Sequence, residues 1–291
     1  MIVAPFFSPR FFSPGKNIPL ALFRSQHPLV LGLIISGFFF LNCQENPADL
    51  LYQKYESARL AGKNEDAHSL AEEMVKKYPT HPRAPEILLE LGRVYKFTVP
   101  QPGKAVEYLR RIVYSYPVGE FTPKALFELG DLYQYHFQDY NRALVYYQRF
   151  VDLFPNDQSI GEVRFRIGDC YLRQSDYEQA RVEFVTLIQQ NPEPSLLAKA
   201  YYNVGKCYYY LGNLQAAIST YQSLIRRFPA SKLIPEVKFS LASTLEEDGD
   251  LEPALQLFSE IRNFYPNPKV IDLTLEKIKN RMVNSHKPKG E

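Results

Sequence analysis

The side chains that could do chemistry are few and scattered. The five histidines, His27, His68, His81, His136 and His286, show no HExxH-like spacing that would set two imidazoles on one helix face around a metal. There is no G-x-x-x-x-G-K-S/T loop and no G-x-G-x-x-G run after a strand, so no phosphate cradle is expected. Glu246, Glu247, Asp248 and Asp250 form an acidic cluster that reads as a solvated helix end and turn, since nothing around it suggests the pocket an acid/base pair needs. Cys170 and Cys207 have two readings. Each is a small buried hydrophobe, or the two form a bridge, which would need alpha carbons within about 7 Å where helix axes pack about 8–10 Å apart. The expectation is a protein that is not an enzyme, with no metal and no cofactor.

One residue invites different chemistry. Residues 1–43 contain no Asp or Glu; they carry Arg10, Lys16 and Arg24, then an apolar run from Leu29 to Leu41, then Asn42-Cys43. Basic, then apolar, then a short exit site is the layout of an export signal, and the run falls short of the about 20 residues a bilayer span requires. The stretch Phe40-Leu41-Asn42-Cys43 resembles the lipobox of bacterial lipoproteins, with Phe40 and Asn42 where that family usually has Leu and a small residue. The resemblance implies a triacylated Cys43, and with Gln44 following, an outer-membrane address. Each buried methylene contributes about 0.8 kcal/mol, so several chains hold where one does not. Without acylation the same segment reads as a plain secretory signal or an uncleaved short anchor, with Cys43 incidental.

The remaining composition is that of a folded body. In 291 residues there are 34 Lys+Arg against 32 Asp+Glu, with 45% hydrophobic and 23% charged. That is too apolar for a disordered chain and enough for a sizeable core. A net charge of +2 leaves no basic footprint for nucleic acid, and three cysteines make no disulfide scaffold. Aromatics are plentiful, 21 Tyr and 20 Phe, without any Trp.

What organises these residues is a repeat. Tyr78-Pro79, Tyr116-Pro117, Phe154-Pro155, Asn191-Pro192, Phe228-Pro229 and Tyr265-Pro266 recur at intervals of 38, 38, 37, 37 and 37. Proline cannot continue a helix and biases the residue before it away from helical geometry, so each pair marks a helix end. Within each interval an apolar–small pair recurs: Leu91-Gly92, Leu129-Gly130, Ile167-Gly168, Val204-Gly205 and Leu241-Ala242. Tyr95, Tyr133, Tyr171, Tyr208 and Leu245 follow three residues later, then Ala105, Ala143, Ala180, Ala217 and Ala254, then Leu109, Tyr147, Phe184, Tyr221 and Phe258. In the stretch from 198 to 234, Val204, Cys207, Tyr208 and Leu211 share one helical face, as do Leu214, Ala217, Ile218, Tyr221, Leu224, Ile225 and Phe228 on a second helix. Gly212-Asn213 breaks the chain between them.

These residues resemble the tetratricopeptide repeat, a helical hairpin with a small residue at position 8, an aromatic at 11, Ala at 20, an aromatic at 24 and Pro at 32. The resemblance implies an all-α right-handed superhelix of stacked hairpins. After a signal segment at 1–43, a repeat domain spans 44–284, with units near 48–84, 85–122, 123–160, 161–197, 198–234 and 235–269, a capping helix at 270–283 and a loose tail at 285–291. The first unit is weakest, with Tyr55 where the small residue belongs. Units two and three, beginning at Pro85 and Pro123, each carry one extra residue, expected in the inner turn.

In the family, first-helix positions 2, 5, 9 and 12 line a concave groove. Position 5 holds Leu89, Phe127, Phe165, Tyr202 and Phe239, and position 9 holds Arg93, Asp131, Asp169, Lys206 and Ser243; Tyr209 and Tyr210 add to them. Such a ladder suits an extended peptide or a partner's helix. With Arg164 and Lys238 at position 4, the rings at position 5 have a second reading as core packing. The combination of a lipidated cysteine, about five repeats and Tyr-Pro or Phe-Pro unit ends resembles the BamD-type outer-membrane lipoproteins. It implies a non-catalytic, periplasm-facing scaffold that binds envelope proteins and helps insert β-barrels. Envelope coordination of the Tol-Pal kind, pilus secretin assembly, and a peptidoglycan-linked accessory role are the alternatives.

Overall fold

The computed structural model describes residues 46–285; the signal segment expected at 1–43, with Cys43, lies outside the described residues, as does the tail expected after Ser285. Thirteen α-helices and no strand occupy the described residues, as six hairpins and a closing helix. They are α1 (Pro47–Leu60) with α2 (Asn64–Lys77), α3 (Ala84–Arg93) with α4 (Pro102–Ser115), α5 (Thr122–Asp131) with α6 (Tyr140–Leu153), α7 (Ile160–Arg173) with α8 (Tyr177–Gln189), α9 (Pro194–Tyr210) with α10 (Leu214–Arg227), α11 (Ile234–Asp248) with α12 (Leu251–Ile261), and α13 (Pro268–Ser285). Helices pack chiefly against their chain neighbours, as in a solenoid. Among the described residues no helix is long and apolar enough to cross a membrane.

The Tyr-Pro and Phe-Pro pairs end helices as proline sterics require. Tyr78, Tyr116, Phe154 and Phe228 leave helical geometry, at φ −128°, −135°, −132° and −130°. Each still donates its N–H back to the last turn at 2.8–2.9 Å, as in Tyr78 to Met74 and Phe228 to Leu224.

The inner turns share one closure. The N–H of Lys63, Gln101, Asp139, Asp176, Asn213 and Asp250 donates to the carbonyl of Ala58, Tyr95, Tyr133, Tyr171, Tyr208 and Leu245, and the carbonyl of the same six residues then caps the buried alanine of the next helix. The extra residue of units two and three does not enlarge this turn. It is absorbed in the end of the first helix, which widens into π-helical turns at Val94–Thr98 and Leu132–His136.

Small residues at position 8 set how closely a hairpin closes. A methyl added to Gly130 would stand 2.3 Å from the Tyr147 ring, and one added to Gly205 would stand 2.3 Å from Tyr221. The first unit inverts the pair, with Tyr55 at position 8 and Ala71 at position 24, both buried. Volume is conserved, yet the ring keeps the two backbones apart, and α1 and α2 approach each other least of the hairpins.

Candidate functional site

The ring at position 5 lies on the ring at position 24 of its own hairpin. Phe127 meets Tyr147 at 6.1 Å, Phe165 meets Phe184 at 5.4 Å, Tyr202 meets Tyr221 at 6.1 Å and Phe239 meets Phe258 at 5.5 Å between centroids. The position 24 rings are fully buried and the position 5 rings half-buried, so each ladder residue packs on its own hairpin and stays partly open. Leu89 is different: at 5% exposure it belongs to the core and offers no rung.

The charges of units two to four are engaged with one another across units. Arg93 and Lys96 on the α3 side reach Glu128 on α5 at 3.2 and 2.5 Å, and Lys96 lies 3.5 Å from Asp131. Asp131 also lies 3.6 Å from Arg166 on α7 and accepts the Tyr147 hydroxyl at 2.8 Å. Asp169 accepts from Gln134 at 2.7 Å and pairs with Arg173 at 3.8 Å. Lys96, Glu128 and Gln134 are buried. Burial, with Asp131 beside it, pushes the Tyr147 hydroxyl far above the ordinary tyrosine range. Buried ion pairs held by this many bonds fix register more than they add stability. This network joins α3, α5 and α7 and leaves Arg93, Asp131 and Asp169 occupied. Its members missed in the sequence, Lys96, Glu128 and Gln134, each reach a partner in the neighbouring unit more than thirty residues away, and no local spacing announces them.

Between α9 and α11 the surface opens into a pocket of about 250 Å³. Its wall is Tyr202, Tyr209, Tyr210 and Phe239, its floor Tyr221, and its polar groups Lys206, Ser240, Ser243 and Thr244. Six residues read from the sequence as groove positions, Tyr202, Lys206, Tyr209, Tyr210, Phe239 and Ser243, thus converge here. The rings are braced from behind: Phe239 stacks on Tyr265 at 4.7 Å, and Tyr210 on Tyr177 at 4.7 Å. The Lys206 ammonium stands 5.7 Å from the centre of the Tyr202 ring. A hydrogen bond to Glu247, then burial, pushes the Tyr209 hydroxyl up to about 12. Ser240 and Thr244 carry no periodic signal; they enter the lining because α11 presents one face to α9.

Other sequence candidates resolve into structure. Cys170 and Cys207 are free, and burial pushes both thiols up to about 12, so they pack as hydrophobes. The acidic cluster is not all solvated: Glu246 is buried and binds Arg281 at 2.9 Å and Lys277 at 3.0 Å, pinning α13. The sequence reading fails there because both cations come from a helix some thirty residues further on. His68 donates to or accepts from the Tyr95 hydroxyl at 2.9 Å, and Tyr95 and Tyr108 both donate to Glu72, knitting α2 to α3 and α4. Among the described residues no group of three or more His, Cys, Asp or Glu could hold a metal.

With this geometry in view, three segments match the tetratricopeptide repeat family: residues 124–157, 162–194 and 199–231. The chain carries tetratricopeptide repeats. The matched segments are the hairpins α5/α6, α7/α8 and α9/α10, in the register set by their glycines and prolines. Repeats of this kind are protein-interaction modules and typically non-catalytic. Among solved structures the chain is similar to YrrB, a TPR protein with an unusual peptide-binding site (12% identity, 71% of this chain, 97% of that chain, TM-score 0.55). It is also similar to PilF of Pseudomonas aeruginosa (16%, 68%, 85%, TM-score 0.53) and to MamA of Desulfovibrio magneticus RS-1 (19%, 66%, 95%, TM-score 0.52). At these identities the likeness is one of fold. No curated protein matches the chain.

Proposed function

We propose that this protein is a non-catalytic, lipid-anchored scaffold of the bacterial envelope that faces the periplasm and binds partner proteins through the groove formed by its first helices. The observation that carries the binding role is the aromatic pocket between α9 and α11, where the half-buried ladder residues of two units converge on a cavity. Rings held by packing offer large contact area at low entropy cost, which is what a binding hot spot requires. Support for the address comes from the sequence before the repeats: the acid-free segment, its apolar run and Cys43. Within this class, assembly of outer-membrane β-barrels is the role that the BamD-type resemblance favours.

Two measurements test the reading. Cys43→Ala should move the protein from the membrane fraction to the soluble one; retention in the membrane would refute acyl anchoring. The full chain used as bait in solubilised envelopes should recover β-barrel assembly components. Recovery of pilus or Tol-Pal proteins would redirect the role within the envelope, and recovery of cytosolic proteins alone would remove it.

A further inference from the structure

We infer that the pocket between α9 and α11 takes one large apolar side chain of an extended partner peptide and that Lys206 pairs with a carboxylate next to that side chain. This rests on the groove reading above and adds the chemistry that the partner must carry.

Size comes first. A pocket of about 250 Å³ is smaller than the roughly 300–1,000 Å³ that whole small-molecule ligands occupy, and an α-helix with side chains is about 10–12 Å across. One side chain fits, with its backbone running along the groove. Rigidity comes next. Tyr265 behind Phe239 and Tyr177 behind Tyr210 hold the wall in place before anything binds, so little entropy is lost on docking.

Charge decides the neighbour. Lys206 is the one charged side chain among the nine that line the pocket. The other charged position 9 residues, Arg93, Asp131 and Asp169, all have ionic partners within the protein. Among the described residues the Lys206 side chain has no carboxylate partner, and its contact is the Tyr202 ring. Ser243, at position 9 of the next unit, adds a hydroxyl to the same lining. A half-desolvated ammonium beside an apolar slot favours an anionic group and disfavours a cationic one. The peptide's carboxylate therefore lies at the Lys206 end of the slot.

A random-peptide display library panned on the full chain in detergent tests this. The expected outcome is enrichment of peptides with Phe, Tyr, Leu or Met beside Asp or Glu. Synthetic copies should lose about tenfold or more in affinity for Lys206→Glu, regain it when their acidic residue is changed to Arg, and bind Lys232→Glu, an exposed charge control outside the pocket, as they bind the wild type. Enriched peptides without an acidic residue, or with affinity unmoved by Lys206→Glu, would overturn the inference while leaving the groove reading in place. Displacement of the peptides by soluble peptidoglycan fragments would also overturn it. Enrichment of no peptide would remove the groove reading itself, and the inference with it.

Discussion

At the scale of single residues, the hairpins depend on what a side chain does not occupy. Gly205 lies against Tyr221 so closely that a methyl would stand 2.3 Å from the ring. Tyr221 is buried and cannot swing out into solvent, so the added methyl must be absorbed by moving α9 from α10. Gly205→Ala should cost about 1–3 kcal/mol, read from the urea midpoint. A second constraint is conformational. The residue before the turn-closing N–H has positive φ in five of the six hairpins: Gly62, Gly212 and Gly249 at 69°, 75° and 99°, but also Gln138 at 53° and Ser175 at 60°. The left-handed region costs a side-chain-bearing residue about 1–2 kcal/mol, part of which glycine returns as unfolded-state entropy. Ser175→Gly should therefore raise stability by up to about 1 kcal/mol, seen as a higher urea midpoint with an unchanged slope. In the second unit Pro100 holds this place, where positive φ is closed to it, and the chain reaches the same closure through its π turn instead.

At the scale of elements, what the sequence made legible was what recurs. Prolines, glycines and alanines at fixed intervals are seen as a count, and the hairpins follow from them. The extra residue of units two and three was also visible as a count, but its place was not. Both a longer turn and a wider helix end satisfy the same spacing, and the structure selects the second because the closing bond to Tyr95 or Tyr133 is kept. The groove charges show the same boundary. Their positions were readable; that Arg93, Asp131 and Asp169 are used up between units was not, because their partners sit in neighbouring repeats. At position 8 alone the first hairpin departs from the repeat; together with Ala71 its Tyr55 is a swap of large and small. If the π turn is a local accommodation, deleting His136 should leave the fold intact. The third unit would close as the fourth does, with a loss of about 1 kcal/mol or less. Deleting Val145 from the middle of α6 should abolish cooperative unfolding, since it would rotate Tyr147 and Phe150 out of the core. Circular dichroism with urea titration separates the two outcomes.

At the scale of the whole repeat body, stability is shared between neighbours, and its ends need cover. Glu246 does this by holding Arg281 and Lys277, which keeps Ile271, Leu275 and Ile278 of α13 on the last hairpin. Protons offer a way to see whether the units behave as one. Tyr55 in the first hairpin, Tyr147 in the third and Tyr221 in the fifth are buried, and burial first, then neighbouring hydrogen bonds or charges, pushes each well above the ordinary value of 10.0. A raised value means that the folded state prefers the neutral hydroxyl. The stability this represents is fully present below pH 10.0, and it is lost as pH rises past 10.0 towards the folded-state values. No one of these hydroxyls can ionise in place without carrying a charge into the core, so ionisation and unfolding must coincide. The urea midpoint should hold steady through neutral pH and fall steeply above pH 10, with buried tyrosinate absorbance appearing in the same step as loss of helicity. If units open independently, the absorbance should instead rise in separate stages, the first hairpin leading because α1 and α2 are held least closely. Tyr55→Phe distinguishes the cases: it removes the earliest stage from a stepwise profile but moves a single cooperative transition only slightly upward in pH.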